Sequence, residues 1–163
     1  KNRNSVAIIE GCETEEELSR LGSDVFSYFG LGCRSVSKIY IPKGYDVSKM
    51  THNWSQYSTI INHNKYANNY DYNKAVFIVN KEEFIDTGYL LLKESAEIPS
   101  PVAVLHFDHN NSLNDVFQEV EKNKEKIQCV TGHKNIPFGM AQSPHLWDYA
   151  DGKDTMDFLL KKK

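Results

Sequence analysis

Cys33 lies in the stretch YFGLGCRSVSK (28–38), with Gly30 and Gly32 before it and Arg34, Ser35 and Ser37 after it. A packing cysteine normally falls within the apolar period of a helix or strand, and this one does not. A thiol attacks a carbonyl carbon as the thiolate. A bend supplies backbone N–H groups that can hold an oxyanion, and a neighbouring Arg34 can favour the charged sulfur. Two readings follow: a nucleophile presented at a bend, or a thiol that fills a tight turn between glycines.

Other residue types capable of chemistry are scattered. HFDHN (106–110) groups His106, Asp108 and His109. On a strand, His106 and Asp108 face one side, and His109 is expected in the following loop. With no matched second pair, a metal site is not expected there. His133 follows Gly132 and can serve Cys33 as a base only if the fold joins them. Cys12 and Cys129 are expected to pack in the core or at a strand edge. Asp148, Asp151 and Asp154 occupy a turn-rich tail and are expected as solvated caps. GLGC (30–33) lacks the third glycine of a dinucleotide fingerprint and follows a helix, so any nucleotide is expected to be held elsewhere.

The elements that must position these groups read as alternating strands and helices. SVAII (5–9) predicts a buried strand ended by Gly11. Thr14 and Glu17 have capping-box spacing. Leu18, Leu21, Val25, Phe26 and Phe29 then mark one helical face, with Gly30 and Gly32 expected to stop the helix. SKIYI (37–41), closed by Pro42, predicts the next strand, which puts Cys33 at a helix-to-strand bend. Asp46 is expected to cap a helix carrying Val47, Met50, Trp54, Tyr57, Ile60 and Ile61. The Asn/Tyr-rich stretch 62–73 receives no element, and AVFIVN (75–80) fits a strand or a helix end. GYLLLK (88–93), PVAVLHF (101–107) and IQCV (127–130) predict strands. Ser112 caps a helix through Val116, Phe117 and Val120. Turn chemistry marks Pro137, Phe138 and Gly139, and a last apolar segment closes the tail. This alternation predicts an α/β three-layer domain with a largely parallel sheet.

Composition sets outer limits. The 163 residues are 40% apolar and 25% charged, which suits one globular domain. Nineteen basic residues against 22 acidic ones leave a net charge of −3, with no polybasic tract to attract nucleic acid or anionic membrane. No apolar run approaches the roughly 18 residues of a membrane span, and no signal-peptide pattern occurs. The three cysteines are an odd count without a CxxC pair. They argue against a disulfide framework and for reduced thiols in the cytoplasm. The start, KNRNSVAIIEG, lacks Met and enters a strand almost at once, so a cut at a domain boundary is expected.

DVFSYFGLGCRSVSKIYIP (24–42) resembles the catalytic-cysteine segment of the aldehyde dehydrogenase superfamily. It is closer to the bacterial acyl-CoA reductase branch, related to the fatty-acyl reductase of bacterial luminescence. KESAEIPSPVAVLHF (93–107) is similar to the superfamily's E-I-F-G-P-V stretch and the strand after it, with Pro99 and Ser100 where the family has Phe and Gly. IPFGMAQSP (136–144) resembles its late P-F-G-G segment, and WDYADGKDTMDFL (147–159) the end of those reductases. The resemblance implies that residues 1–163 form a single catalytic domain with the fold of the aldehyde dehydrogenase catalytic domain. A dinucleotide-binding domain is then expected upstream.

The same resemblance implies Cys33 as nucleophile and Glu97 as the carboxylate contacting the nicotinamide ribose. NADPH or NADH would be bound mainly by the upstream domain, which would also bring a general-base glutamate and a side-chain oxyanion donor. The implied substrate is an acyl-CoA. Implied partners are an acyl-activating or acyl-transferring enzyme and a second copy in a homo-oligomer, with no nucleic acid and no membrane span. The implied reaction forms an acyl-cysteine thioester and reduces it to an aldehyde. Two alternatives remain open: a cysteine-dependent acyltransferase or thioesterase, and a non-enzymatic α/β interaction module in which Cys33 is a turn residue.

Overall fold

The computed structural model describes residues 3–149 and 154–161; Asp151 lies outside them. Strands β1 (Asn4–Ile8), β2 (Val36–Pro42), β3 (Ile85–Asp86), β4 (Leu91–Glu94), β5 (Val104–Asn110) and β6 (Ile127–Thr131) form one six-stranded sheet in the order β3-β4-β5-β2-β1-β6. Every neighbouring pair is parallel except β3 with β4. The helices are α1 (Glu15–Phe26), α2 (Ser48–His52), α3 (Asn64–Asn80), α4 (Leu113–Lys122) and α5 (Thr155–Lys161).

Successive strand residues face opposite sides, and here both sides are covered. Ala7 and Ile9 join Ile39, Ile41 and Leu105 beneath α1, Met50 and Trp54. Val6 and Ile8 join Tyr40 and Ile127 beneath Val116 of α4. The result is an α/β domain of three layers, and double-sided burial explains why β1 is an unbroken apolar run.

Helix α1 starts as its sequence requires. The Thr14 hydroxyl accepts the Glu17 N–H at 3.2 Å, and the Glu17 carboxylate accepts the Thr14 N–H at 2.8 Å. Its end differs from expectation. The helix stops at Phe26, the last residue of its stripe to reach core partners, stacking on Tyr57 at 4.8 Å between ring centroids. Ser27 turns extended, and Tyr28 and Phe29 adopt positive φ of 55° and 60°. Phe29 therefore leaves the helical face and lies over the ring of His63. The stop precedes both glycines.

The crossover from β2 to β4 also departs from the single helix expected after Asp46. The Asp46 carboxylate does accept the Ser48 N–H at 2.9 Å, but α2 lasts five residues and a 3-10 stretch (Ser55–Asn62) follows. The buried Trp54 indole donates to the Leu18 carbonyl at 2.7 Å, which ties this crossover to α1. The Asn/Tyr-rich stretch and AVFIVN are one helix, α3. It buries Tyr66, Tyr70, Asn73 and Phe77 at helical spacing. Tyr66 donates to the Tyr89 carbonyl at 2.9 Å and Asn73 to that of Val102 at 2.9 Å, so its polar tips are satisfied inside the fold.

Strands β4 and β5 begin three residues later than their apolar runs, and His109 lies within β5 rather than in a loop. Ser112 caps α4, accepting the Asp115 N–H at 3.2 Å. Asp148 and Asp154 cap local backbone as expected, with Asp154 accepting the Met156 and Asp157 N–H groups. Among the described residues no helix is long and apolar enough to cross a membrane.

Candidate active site

Cys33 occupies the bend between the 3-10 turn Ser27–Gly30 and the start of β2. The Gly32 carbonyl accepts the Ser35 N–H at 2.9 Å, which closes a tight turn with Cys33 and Arg34 at its centre. The Ser5 hydroxyl donates to the Cys33 carbonyl at 2.9 Å and anchors the turn to β1. Ser35 donates to the Ser27 carbonyl at 3.2 Å. The thiol is exposed, and among the described residues the Cys33 N–H has no partner. Two consecutive non-glycine residues with positive φ lead into this turn, each costing on the order of 1–3 kcal/mol. Strain of this kind persists only where the surroundings hold it.

Phe29 is held against His63 and Tyr66, and the turn itself by the segment 137–142. Asp24 of α1 is fully buried and accepts the N–H groups of Gly139 at 2.7 Å and Ala141 at 3.0 Å. Burial raises its carboxyl above the ordinary range, and the two N–H donors oppose that rise. The Ala141 carbonyl in turn accepts from Arg34 Nε, and the Gln142 amide donates to the Ser35 hydroxyl at 3.3 Å. Arg34 thus places one of its five N–H donors on Ala141.

Glu97 sits in the loop 95–103 that crosses the sheet face after β4. Lys38 is fully buried and donates to the Ala96 carbonyl at 2.8 Å and to the Asp108 carboxylate at 3.0 Å. The Ser37 hydroxyl donates to the Ile98 carbonyl at 2.8 Å, and His106 Nδ1 bonds the Glu97 carbonyl at 3.0 Å. The backbone of Glu97 is therefore fixed over β2 while the residue stays exposed. Further along, Ser100 and Pro101 border a cavity of about 20 Å³ with Phe26, Phe29, Gly30 and Val36, room for about one water. The loop carrying Glu97 thus reaches the same end of the sheet as the Cys33 bend.

His133 does not meet Cys33. It follows the carboxyl end of β6, whereas Cys33 precedes the amino end of β2, and parallel pairing puts these at opposite ends of the sheet. His133 instead faces Cys12, with Nδ1 3.9 Å from its sulfur and Nε2 3.1 Å from the Glu17 carboxylate. Cys12 is exposed, contrary to the packing role expected of it, because the chain leaves the sheet at Gly11. Cys129 is buried as expected, 2.9 Å from the Ser5 hydroxyl, and burial pushes its thiol up. No sequence pattern marks the meeting of Cys12 and His133, 121 residues apart. It follows from β1 and β6 being neighbours.

No phosphate cradle follows β1. The first turn of α1 already carries Glu15, Glu16 and Glu17, and Glu13 accepts the N–H groups of Glu10 and Gly11. Carboxylates occupy the positions where a helix start would attract phosphate. Compared with known proteins, the chain matches no family model and no curated protein.

Proposed function

We propose that this chain is the acyl-accepting catalytic domain of a nicotinamide-dependent acyl-CoA reductase of the aldehyde dehydrogenase superfamily, with Cys33 as its nucleophile. The observation that carries this reading is the tight turn at Gly32–Ser35, entered through the positive-φ residues Tyr28 and Phe29. Ser5 and the Asp24–Ala141–Arg34 chain of bonds hold it, and it leaves one thiol exposed beside an unengaged backbone N–H. Three of the four stretches that carry the resemblance (24–42, 93–107 and 136–144) reach this end of the sheet. Tyr28 and Leu31 beside it are about 70% exposed, an apolar rim suited to an acyl chain or a covering domain.

In the proposed reaction the Cys33 sulfur bonds to the thioester carbonyl carbon, the Cys33 N–H donates to the oxyanion, and the carbon–sulfur bond to CoA breaks as CoA thiolate leaves. The product is an acyl-Cys33 thioester. A reduced nicotinamide, bound mainly by an upstream domain, would supply a hydride to the acyl carbon, after which the bond from that carbon to the Cys33 sulfur would break to release the aldehyde and regenerate the thiol. The residues described here fit only part of that cofactor: Glu97 offers a carboxylate for a ribose hydroxyl, and the acidic start of α1 rejects its phosphates. Three thiols without a disulfide suit a reducing compartment such as the cytoplasm.

Intact-mass spectrometry after incubation with a medium-chain acyl-CoA tests the first half-reaction. The expected result is a gain of one acyl group on the native chain and none on Cys33→Ser. An adduct that survives Cys33→Ser, or none on either chain even with the upstream domain present, overturns the assignment.

A further inference from the structure

At the other end of β1, three side chains from two distant segments converge. Glu10 and Cys12 follow β1, His133 follows β6, and one donor atom from each lies within 4.8 Å of the others. We infer that Glu10, Cys12 and His133 form a binding site for a single zinc ion, distinct from the Cys33 bend and independent of the acyl-transfer reading.

The donor set selects the metal. A thiolate, an imidazole nitrogen and a carboxylate together suit borderline-soft Zn²⁺, whereas Mg²⁺ and Ca²⁺ take oxygen ligands. The spacing suits it as well. With Zn–S near 2.3 Å and Zn–N or Zn–O of about 2.0–2.2 Å, tetrahedral ligands stand roughly 3.3–3.7 Å apart. The Cys12 sulfur and His133 Nδ1 are 3.9 Å apart before any ion draws them in.

The histidine is also held in the form a ligand needs. Glu17 Oε1 lies 3.1 Å from His133 Nε2, while Glu17 Oε2 accepts the Thr14 N–H at 2.8 Å. An ionised carboxylate accepts only, so a neutral imidazole here donates from Nε2 and leaves the Nδ1 lone pair facing Cys12. This is the carboxylate–histidine arrangement that orients metal ligands. Gly132 makes the approach possible: its φ is 153°, and a Cβ there would stand 3.0 Å from the Ile8 carbonyl oxygen. On the other side, Glu13 holds the Glu10 and Gly11 N–H groups and fixes the loop that presents Cys12. The site lies outside the carboxyl ends of the neighbouring parallel strands β1 and β6. Three protein donors leave a fourth position for water or a small ligand.

Calorimetric titration of the reduced full chain with zinc chloride tests the site, with cobalt(II) absorbance from thiolate-to-metal charge transfer as a second readout. One equivalent is expected to bind. Cys12→Ser and His133→Gln are expected to abolish binding and the charge-transfer band, and Cys33→Ser to leave both intact. Glu17→Gln is expected to weaken binding about 10–100-fold while the three ligands remain. Glu10→Gln provides a probe that keeps the sulfur in place, and it is expected to weaken binding without removing the cobalt–thiolate band. Absence of stoichiometric binding, or binding that survives Cys12→Ser, overturns the proposal.

Discussion

Lys38→Met removes the only positive charge buried in the middle of β2 while keeping most of the side chain's volume. The Lys38 ammonium bonds the Ala96 carbonyl at 2.8 Å and Asp108 at 3.0 Å, with Glu119 at 3.8 Å. Breaking a fully buried ion pair costs about 3–5 kcal/mol. That range is an upper bound here, because the Asp108 and Glu119 side chains are 30% and 40% exposed and water can solvate them. What remains is the carbonyl left without its donor and one partly desolvated carboxylate, and Met restores the apolar stem. The expected loss is about 2–3 kcal/mol by urea unfolding, or a fall of roughly 5–10 °C in Tm for a chain of this size. Amide exchange in the loop 95–98 is expected to accelerate, since Lys38 ties that loop and its Glu97 to β2. Asp108→Asn is expected to cost much less on the Lys38→Met background than alone. A loss below about 0.5 kcal/mol, or additive effects of the two changes, would refute the account of Lys38 as the tie between β2 and the Glu97 loop.

Two further outcomes follow from packing and charge. Gly22→Ala puts a Cβ 2.5 Å from Tyr57 Cε2 and 2.7 Å from Trp54 Cδ1. Overpacking against an indole already fixed to Leu18 costs about 1–3 kcal/mol, which outweighs the roughly 1 kcal/mol that Ala gains over Gly in a helix. A net loss of up to about 2 kcal/mol is expected on thermal or urea unfolding, and a stabilised variant would show that α1 and Trp54 are not in close contact. His106 is held below its ordinary value of 6.5, chiefly by burial, so the unfolded chain takes up its proton first as pH falls. Its contribution to stability is present above pH 6.5 and is lost as the pH falls through the lower folded value. Stability of the native chain minus that of His106→Gln is expected to decline from about pH 7 to about pH 5; a difference independent of pH rejects the burial of a neutral imidazole.

Local signals in the sequence matched local structure. The Thr14–Glu17 box, the Ser112 cap and the runs SVAII and IQCV each correspond to an element because their determinants lie within one turn or one strand. Helix α3 was less legible. Its buried face is Tyr66, Tyr70, Asn73 and Phe77, and the polar tips of three of these mask a stripe that their 4-3-4 spacing does display. The early end of α1 was hidden for another reason. Phe29 keeps helical spacing in the sequence, but Phe26 already fills the niche beside Trp54, Tyr57 and Tyr89, and the chain must turn back into β2. Lys38 gave no sign of burial, because its partners Ala96 and Asp108 come from 58 and 70 residues away. Pairings of this range depend on strand order, which neither periodicity nor spacing encodes. The same holds for Cys12 and His133.

The geometry of the Cys33 bend also limits what this chain can contribute to its proposed reaction. The turn offers an N–H for an oxyanion, while Arg34 Nε donates to the Ala141 carbonyl. The helix that leads into the bend points its carboxyl end that way, and such an end presents carbonyls, which favour cations rather than a thiolate. His133, the histidine considered as a base for Cys33, is bound to Glu17 at the far end of the sheet. In the proposed reaction the chain would position the sulfur and hold the oxyanion through the Cys33 N–H, while the thiol proton would go to a group outside the described residues. On that proposal, a base brought by an upstream domain would meet the need and would couple nucleophile activation to closure of that domain over the exposed rim of Tyr28 and Leu31.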